Sequence, residues 1–279
     1  MAHALNRIVA VPNWSFYDPV LAEQARVLLE DRGVKVHYCQ GDIDHQRTVT
    51  AFSGFQTDVL EAATELAKFL LPKIDLQVQQ GVHPRVGALD VMPFVLVEGN
   101  EQDLIQSSRD WAAEFLSKFN IPYHLYEKSA FPGFEHQLPY LRGQMSGHAP
   151  LEINGPPHEN WGYTIIGVRD FLLAANLNVD CPNPEDVKSV AREIRTQRDA
   201  GNENLRGVRA LGFALTSRGL TQLSLNFTEP NKTAFDSAYM FAKERLQNQI
   251  IETELIGVIR QSDLAGATYL TVDPNQVVA

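Results

Sequence analysis

The order of its secondary-structure signals constrains this chain more than any other feature. Short apolar runs alternate with segments whose apolar residues recur at helical spacing, and those segments open on capping residues. Residues 5–11 (Leu-Asn-Arg-Ile-Val-Ala-Val) read as a first strand, closed by Pro12-Asn13-Trp14-Ser15. Asp18-Pro19 then opens a helix, because an aspartate accepts from unpaired first-turn N–H groups and a proline there loses no bond. Val20, Leu21, Ala25, Leu28 and Leu29 give it an apolar face, and Gly33 ends it. Strands are predicted over residues 34–39 and 48–55, followed by a helix capped by Thr57 and a strand over 89–97. A helix capped by Asn100 covers 101–119, and a further strand covers 121–126. The order β-α-β-β-α-β-α-β requires a layered α/β or α+β domain with helices covering a sheet.

Between residues 127 and 160 the periodicity fails while proline, glycine and histidine accumulate. A stretch of that length marks a functional loop or a boundary, so the chain is divided into a first subdomain over 1–150 and a second over 151–279. In the second, apolar segments at 163–168 and 171–179 predict a strand pair or one bent strand. Asn183-Pro184 opens a helix to about residue 198, and Ser217-Arg218-Gly219 joins the two strands of a hairpin, 208–216 and 220–227. A helix over 233–249 and a strand over 253–259 complete it. The second half thus resembles the first in kind.

Composition excludes more than it assigns. The 279 residues are 44% apolar and 21% charged, with a net charge of −10, as in ordinary globular proteins. Neither half is basic, which argues against a general nucleic-acid binder, so any anionic ligand must find a local positive pocket. No apolar run reaches the roughly 20 residues needed to cross a bilayer, and Met-Ala-His-Ala-Leu-Asn-Arg lacks the pattern of a secretory leader, so a cytoplasmic location is expected. Cys39 and Cys181 have no disulfide or metal spacing and read as reduced packing residues.

Chemistry concentrates in residues 81–94, Gly-Val-His-Pro-Arg-Val-Gly-Ala-Leu-Asp-Val-Met-Pro-Phe. Gly81 and Gly87 admit positive φ or the close approach of another group. Pro84 holds His83 extended, and Pro93 marks an edge or a bulge in the apolar run that follows. His83 is either a solvated turn residue or a titratable group held at the mouth of a strand. Residues 41–47, Gly-Asp-Ile-Asp-His-Gln-Arg, make a second polar cluster. It lacks the complementary spacing of a metal site and has the composition of a turn. There is no phosphate-binding loop, dinucleotide fingerprint, zinc-protease helix or nucleophile elbow.

Taken together, Val11-Pro12-Asn13, Asp44-His45-Gln46-Arg47-Thr48-Val49 and His83-Pro84-Arg85-Val86-Gly87-Ala88-Leu89-Asp90 resemble the formiminotransferase family. The likeness continues through Trp161-Gly162-Tyr163-Thr164, Gly167-Val168-Arg169, Asn176-Leu177-Asn178, Gln222 to Asn226 and Glu254 to Gly257. It implies two similar ferredoxin-like α/β (α+β) subdomains with facing mixed sheets and helices outside. The implied activity is transfer of a formimino group from N-formimino-L-glutamate to tetrahydrofolate, a co-substrate, with no metal and commonly as a homodimer. By resemblance His83 is the general base, since an imidazole with a pKa of about 6.5 can take and return a proton near neutrality. Asn13 belongs to the first motif. Asp42 or Asp44 could steady the cationic amidine, and Arg47, Arg85 or Arg169 could hold ligand carboxylates. A folate-contacting loop is matched by Gly155-Pro156 and Trp161-Gly162, with Trp161 readable as a core aromatic or as a stacking surface. Members usually carry Ser-Glu-Gly where this chain has Ser15-Phe16-Tyr17, and an acidic residue where it has Val82. The alternatives are therefore a non-catalytic folate-binding relative and a transferase using another formyl or imidoyl donor.

Overall fold

A computed structural model describes residues 6–134, 136–142, 154–247 and 249–278. The chain divides into two compact units, the first ending at Asp170 and the second beginning at Phe171. This division falls later than the loss of periodicity suggests. Of the two apolar segments on either side of it, Thr164–Val168 pairs into the first sheet and Leu173–Val179 into the second.

The first unit contains β1 (Arg7–Ala10), β2 (Asn13–Trp14), α1 (Pro19–Asp31), β3 (Lys35–Asp42), β4 (Arg47–Phe55), α2 (Gln56–Leu70), β5 (Leu89–Glu98), α3 (Glu101–Phe119), β6 (Tyr123–Leu125), α4 (Leu138–Leu141) and β7 (Thr164–Val168). Strand β1, with β2 continuing it, lies between β4 and β5, and β3 pairs with the far side of β4. The strands β3-β4-β1-β5 with α1 and α2 therefore form an antiparallel βαββαβ unit. Strand β7 adds parallel to β5, and β6 adds parallel to β7, which makes this sheet mixed.

In the second unit, β8 (Leu173–Val179), α5 (Pro184–Asp199), β9 (Val208–Leu215), β10 (Leu220–Phe227), α6 (Phe235–Arg245) and β11 (Ile250–Ile256) repeat the βαββαβ order. Their sheet, β11-β8-β10-β9, is antiparallel throughout. Numbered within each unit, both four-stranded cores have the order 4-1-3-2, so the resemblance in kind between the halves is a repeated ferredoxin-like topology. Short strands Ile259–Arg260 and Val277–Val278 pair in parallel after it.

Local chemistry explains the element ends. Asp18 accepts from Val20 and Leu21, Asn100 from Gln102 and Asp103, and Asn183 from Glu185. Thr57 is not the cap: α2 begins directly after β4 with Phe55 at the N-cap position and, among the described residues, no side-chain cap bond there. Val59, Ala62, Ala63, Leu66, Ala67 and Leu70 of α2 pack with Leu29, Phe52, Leu104, Trp111 and Phe115 into the first unit's core. Leu177, Ile194, Leu225, Phe227 and Phe235 anchor a separate core in the second.

Pro93 lies in the middle of a central strand. It is tolerated because its carbonyl accepts from Val11 N–H at 3.1 Å, on the side where the chain is interrupted between β1 and β2. A strand residue presents its N–H and C=O to the same neighbour, so the missing N–H faces that interruption. The next irregularity is a bulge. Asn13 pairs with Val91 and Trp14 with Leu89, leaving Asp90 as the extra residue.

Asn100→Ala is expected to cost about 1 kcal/mol in denaturant unfolding of the whole chain. Thr57→Ala should change stability by no more than about 0.5 kcal/mol. The opposite ranking would show that the capping assignments are reversed.

Candidate active site

Bulges at strand ends re-aim side chains next to functional sites. Here the bulge residue is a carboxylate with 0% exposure. An ionised group so placed is stable only with partners, and Asp90 has three. Its Oδ1 accepts from Val86 N–H at 2.7 Å, and its Oδ2 accepts from Arg47 Nη1 at 2.8 Å and from Arg142 Nη2. Arg47 opens β4 and also donates through Nε to Asn13 Oδ1 at 3.1 Å, while Asn13 donates to Val11 O. Arg142 follows α4, which lies over Tyr126, Ile165 and Val91 through Leu138 and Leu141. Two distant segments and the local backbone thus converge on one carboxylate.

The segment carrying His83 lies against the 42–47 turn. Arg85 donates to three carbonyls: His45 O at 2.8 Å, Gln46 O at 3.2 Å and His83 O at 3.3 Å. Val82 N–H donates to Asp44 O and Gln80 N–H to Gln46 Oε1, while Asp42 Oδ1 accepts from His45 N–H and shapes the turn. Close approach is what requires glycine here. A Cβ at Gly81 would lie 2.0 Å from His45 O, and one at Gly87 1.6 Å from Tyr163 O. Those neighbours are backbone, so neither clash has a cheap remedy.

His83 is half-buried, donates through Nδ1 to Pro84 O at 2.8 Å, and stands 5.8 Å from the His45 ring, centroid to centroid. Burial, and then the positive charges of Arg47 and Arg142, hold its imidazole well below the ordinary histidine value, against the smaller opposing pulls of Asp90 and the Pro84 carbonyl. It is therefore neutral at pH 7. Burial alone would raise the Asp90 carboxyl, but Arg142 and Arg47 overcome that and lower it to about 2. Burial lowers Arg47 to about 10, so it stays charged at neutral pH.

Of the residues singled out from sequence, Asn13, Asp42, Asp44, Arg47, His83 and Arg85 are brought into this one neighbourhood. The 158–163 segment zips alongside. Gly162 forms bridges with Gly87 and His158, and Ala88 N–H donates to Trp161 O. Trp161 packs on the core, donates to Ile74 O, and carries the His158 ring stacked on it at 4.3 Å, so the core reading fits this side chain. Gly155 and Pro156 are exposed, on the approach to this segment. Arg169 lies at the exit of β7, hydrogen-bonded to the buried Tyr126 and to Asp170 O, and among the described residues no bond joins it to the Asp90 cluster.

Two residues of this cluster are not among the predicted catalytic or ligand-binding residues. Asp90, read from sequence as a turn or strand-edge hydrogen-bonding group, is the fully buried bulge residue. Arg142, in the aperiodic stretch, offered no sign of its role.

Among the described residues, a half-buried imidazole stands beside two guanidinium groups that share one buried carboxylate, in a unit of ferredoxin-like βαββαβ topology. The formiminotransferase domain, N-terminal subdomain, matches residues 7–169, and the formiminotransferase domain matches 174–278. The chain belongs to the formiminotransferase family and is a transferase by that membership. It is 29% identical to a glutamate formimidoyltransferase of Thermoplasma acidophilum over 83% of this chain and 80% of the relative. It is 30% identical to one of Streptococcus pyogenes serotype M1 over 81% and 79%. A formimidoyltransferase-cyclodeaminase of Rattus norvegicus is 28% identical over 83% of this chain, which spans only 46% of that longer protein.

The pairing of Asp90 has a pH signature. Its folded pKa of about 2 lies below the unfolded value of about 3.9. Its contribution to stability is therefore complete above about pH 4 and is lost as the pH falls toward 2. Asp90→Asn should cost about 3–5 kcal/mol at pH 7, because two buried guanidinium groups lose their counter-charge, and should flatten the dependence of stability on pH between about 4 and 2. Denaturant titrations across that range give both quantities; an unchanged slope would remove Asp90 from the role assigned to it.

Proposed function

We propose that this protein moves a formimino group from N-formimino-L-glutamate to N5 of tetrahydrofolate, releasing glutamate, with His83 as the general base. The observation that carries the reading is a half-buried histidine beside Arg47 and Arg142, which share the buried carboxylate of Asp90. N5 must lose a proton as it attacks the amidine carbon, and the departing glutamate nitrogen must gain one. An imidazole can accept the first proton and return the second, provided it starts neutral, which burial and the two guanidinium groups secure for His83. Both substrates are carboxylates, and an acidic protein needs a local positive site to receive them.

Within this reading Arg47, fixed by Asn13 and Asp90, contributes charge to the site, and Asp44 and Asp42 hold the turn beside His83, where a carboxylate can steady a cationic amidine. Arg85 spends its fork on backbone carbonyls and so sets the position of His83. Gly162, with Trp161, keeps the neighbouring segment against Gly87. Gly155, Pro156 and Arg169 are assigned to the outer reach of the folate path. The protein is proposed to work in the cytoplasm as a homodimer, a state that light scattering on purified protein tests.

His83→Ala should abolish glutamate release from formiminoglutamate in the presence of tetrahydrofolate, with a loss of about 10²–10⁴-fold for removal of a general base. Because His83 titrates below 6.5, the acid limb of kcat/KM in the wild type should have its midpoint below pH 6.5. Activity falls as His83 takes up a proton. A limb centred at or above 6.5, or a His83→Ala variant with wild-type turnover, would remove His83 as the base. Absence of turnover in the wild type with both substrates present would remove the transfer reading itself.

A further inference from the structure

Three arginines surround the Asp90–His83 neighbourhood, and their donors are used very differently. Arg85 places Nε, Nη1 and Nη2 on the carbonyls of His83, Gln46 and His45, so its fork is committed to holding the backbone. Arg47 is nine-tenths buried and places Nε on Asn13 and Nη1 on Asp90. Arg142 shares the same Asp90 oxygen through Nη2, with 16% of its side chain exposed. Its Nε is buried and meets no partner among the described residues.

Charge gives an independent argument. Asp90 carries one negative charge and faces two guanidinium groups, with His83 neutral beside them. Buried charge is stable when paired, and among the described residues Arg47 and Arg142 share a single contacting carboxylate. The partly exposed remainder of the Arg142 guanidinium points to the ligand class that would complete it, a carboxylate, for which the arginine fork is shaped.

We propose that Arg142 is a specificity-determining residue that receives a carboxylate of the donor substrate, with Asp90 holding its guanidinium in place. The inference rests on the transfer reading for the identity of the donor, but its binding step does not need turnover. The donor is favoured over the glutamyl tail of the folate because its carboxylates lie a few bonds from the reacting carbon. The folate tail lies beyond the aminobenzoyl spacer from N5, and Arg142 acts close to His83, where the proton is transferred.

The test uses the full chain, its Arg142→Gln and Arg142→Lys variants, calorimetry with L-glutamate, L-glutamine and isoglutamine, and steady-state kinetics. The wild type should bind L-glutamate more tightly than at least one of the two monoamides. Arg142→Gln should weaken L-glutamate by about tenfold to a hundredfold, as for loss of a charge-assisted bond, and should erase that discrimination. Arg142→Lys, which keeps the charge and loses the fork, should fall between. In kinetics the donor KM should rise while the tetrahydrofolate KM stays unchanged. Unchanged glutamate affinity in both folded variants would overturn the proposal, as would an effect confined to the tetrahydrofolate KM. Arg142-dependent glutamate binding in a wild type that shows no transfer would uphold the proposal and remove the function it was attached to. Should Arg142→Gln fail to give a cooperative melt, Arg142→Lys alone decides by the same readings.

Discussion

A carboxylate with no access to water cannot remain ionised without help, and the need to satisfy Asp90 organises the first unit around it. Its partners come from β4, from the chain after α4, and from the backbone four residues upstream. A buried ion pair of this kind is weak evidence for stability, since desolvating the charges can cost as much as their attraction returns. What it does supply is position. Exchanging Asp90 alone for an apolar residue would leave two buried guanidinium groups without their counter-charge, and the arginines would lose the group that orients them.

The rest of the site is arranged so that this position is inherited by His83. The segment from Gln80 to Ala88 has no regular structure, so it cannot satisfy its polar groups internally. It does so by hydrogen bonding to the 42–47 turn and to the 158–163 segment. Glycine at 81 and 87 lets backbone meet backbone where any Cβ would intrude. Arg85 then acts as a strut: a planar fork with several donors can hold three carbonyls at once, which a lysine, with one flexible point charge, cannot do as rigidly. The bulge at Asp90, the break between β1 and β2, and Pro93 lie within a few residues of one another, so the irregular backbone is concentrated where the site is built.

Much of the fold was legible because it depends on local signals. Asp18, Asn100 and Asn183 cap helices as their side-chain chemistry predicts, Gly33 and Gly219 sit at positive φ where the chain turns, and the strand runs carry the expected apolar residues. Thr57 misled because its residue type suits a cap, while the true start of α2 is set by the end of β4. The place of division was hidden by adjacency. Two apolar segments separated by a short polar link look like partners, yet one completes the first sheet and the other begins the second, a choice made by long-range pairing. His83, Arg85 and Arg47 stood out by motif. Arg142 did not, because its role comes from meeting Asp90 across 52 positions of chain, a contact that leaves no periodic trace.

The charges that keep His83 neutral are also those that would attract an anion, and the two effects are linked. Burial, and then Arg47 and Arg142, hold down the proton affinity of the His83 imidazole. A carboxylate arriving at the cluster would offset part of that positive potential and let the imidazole bind a proton more strongly. Favourable coupling of this sort must be reciprocal: a ligand that makes His83 more basic binds more tightly when His83 is protonated. Under the proposed transfer, His83 would gain proton affinity when a ligand of that charge is present. A neutral cluster, with one arginine for one aspartate, could hold the same backbone in place. It would lack this link between the charge of the ligand and the proton affinity of the group beside it, and that difference gives the second guanidinium a chemical purpose beyond packing.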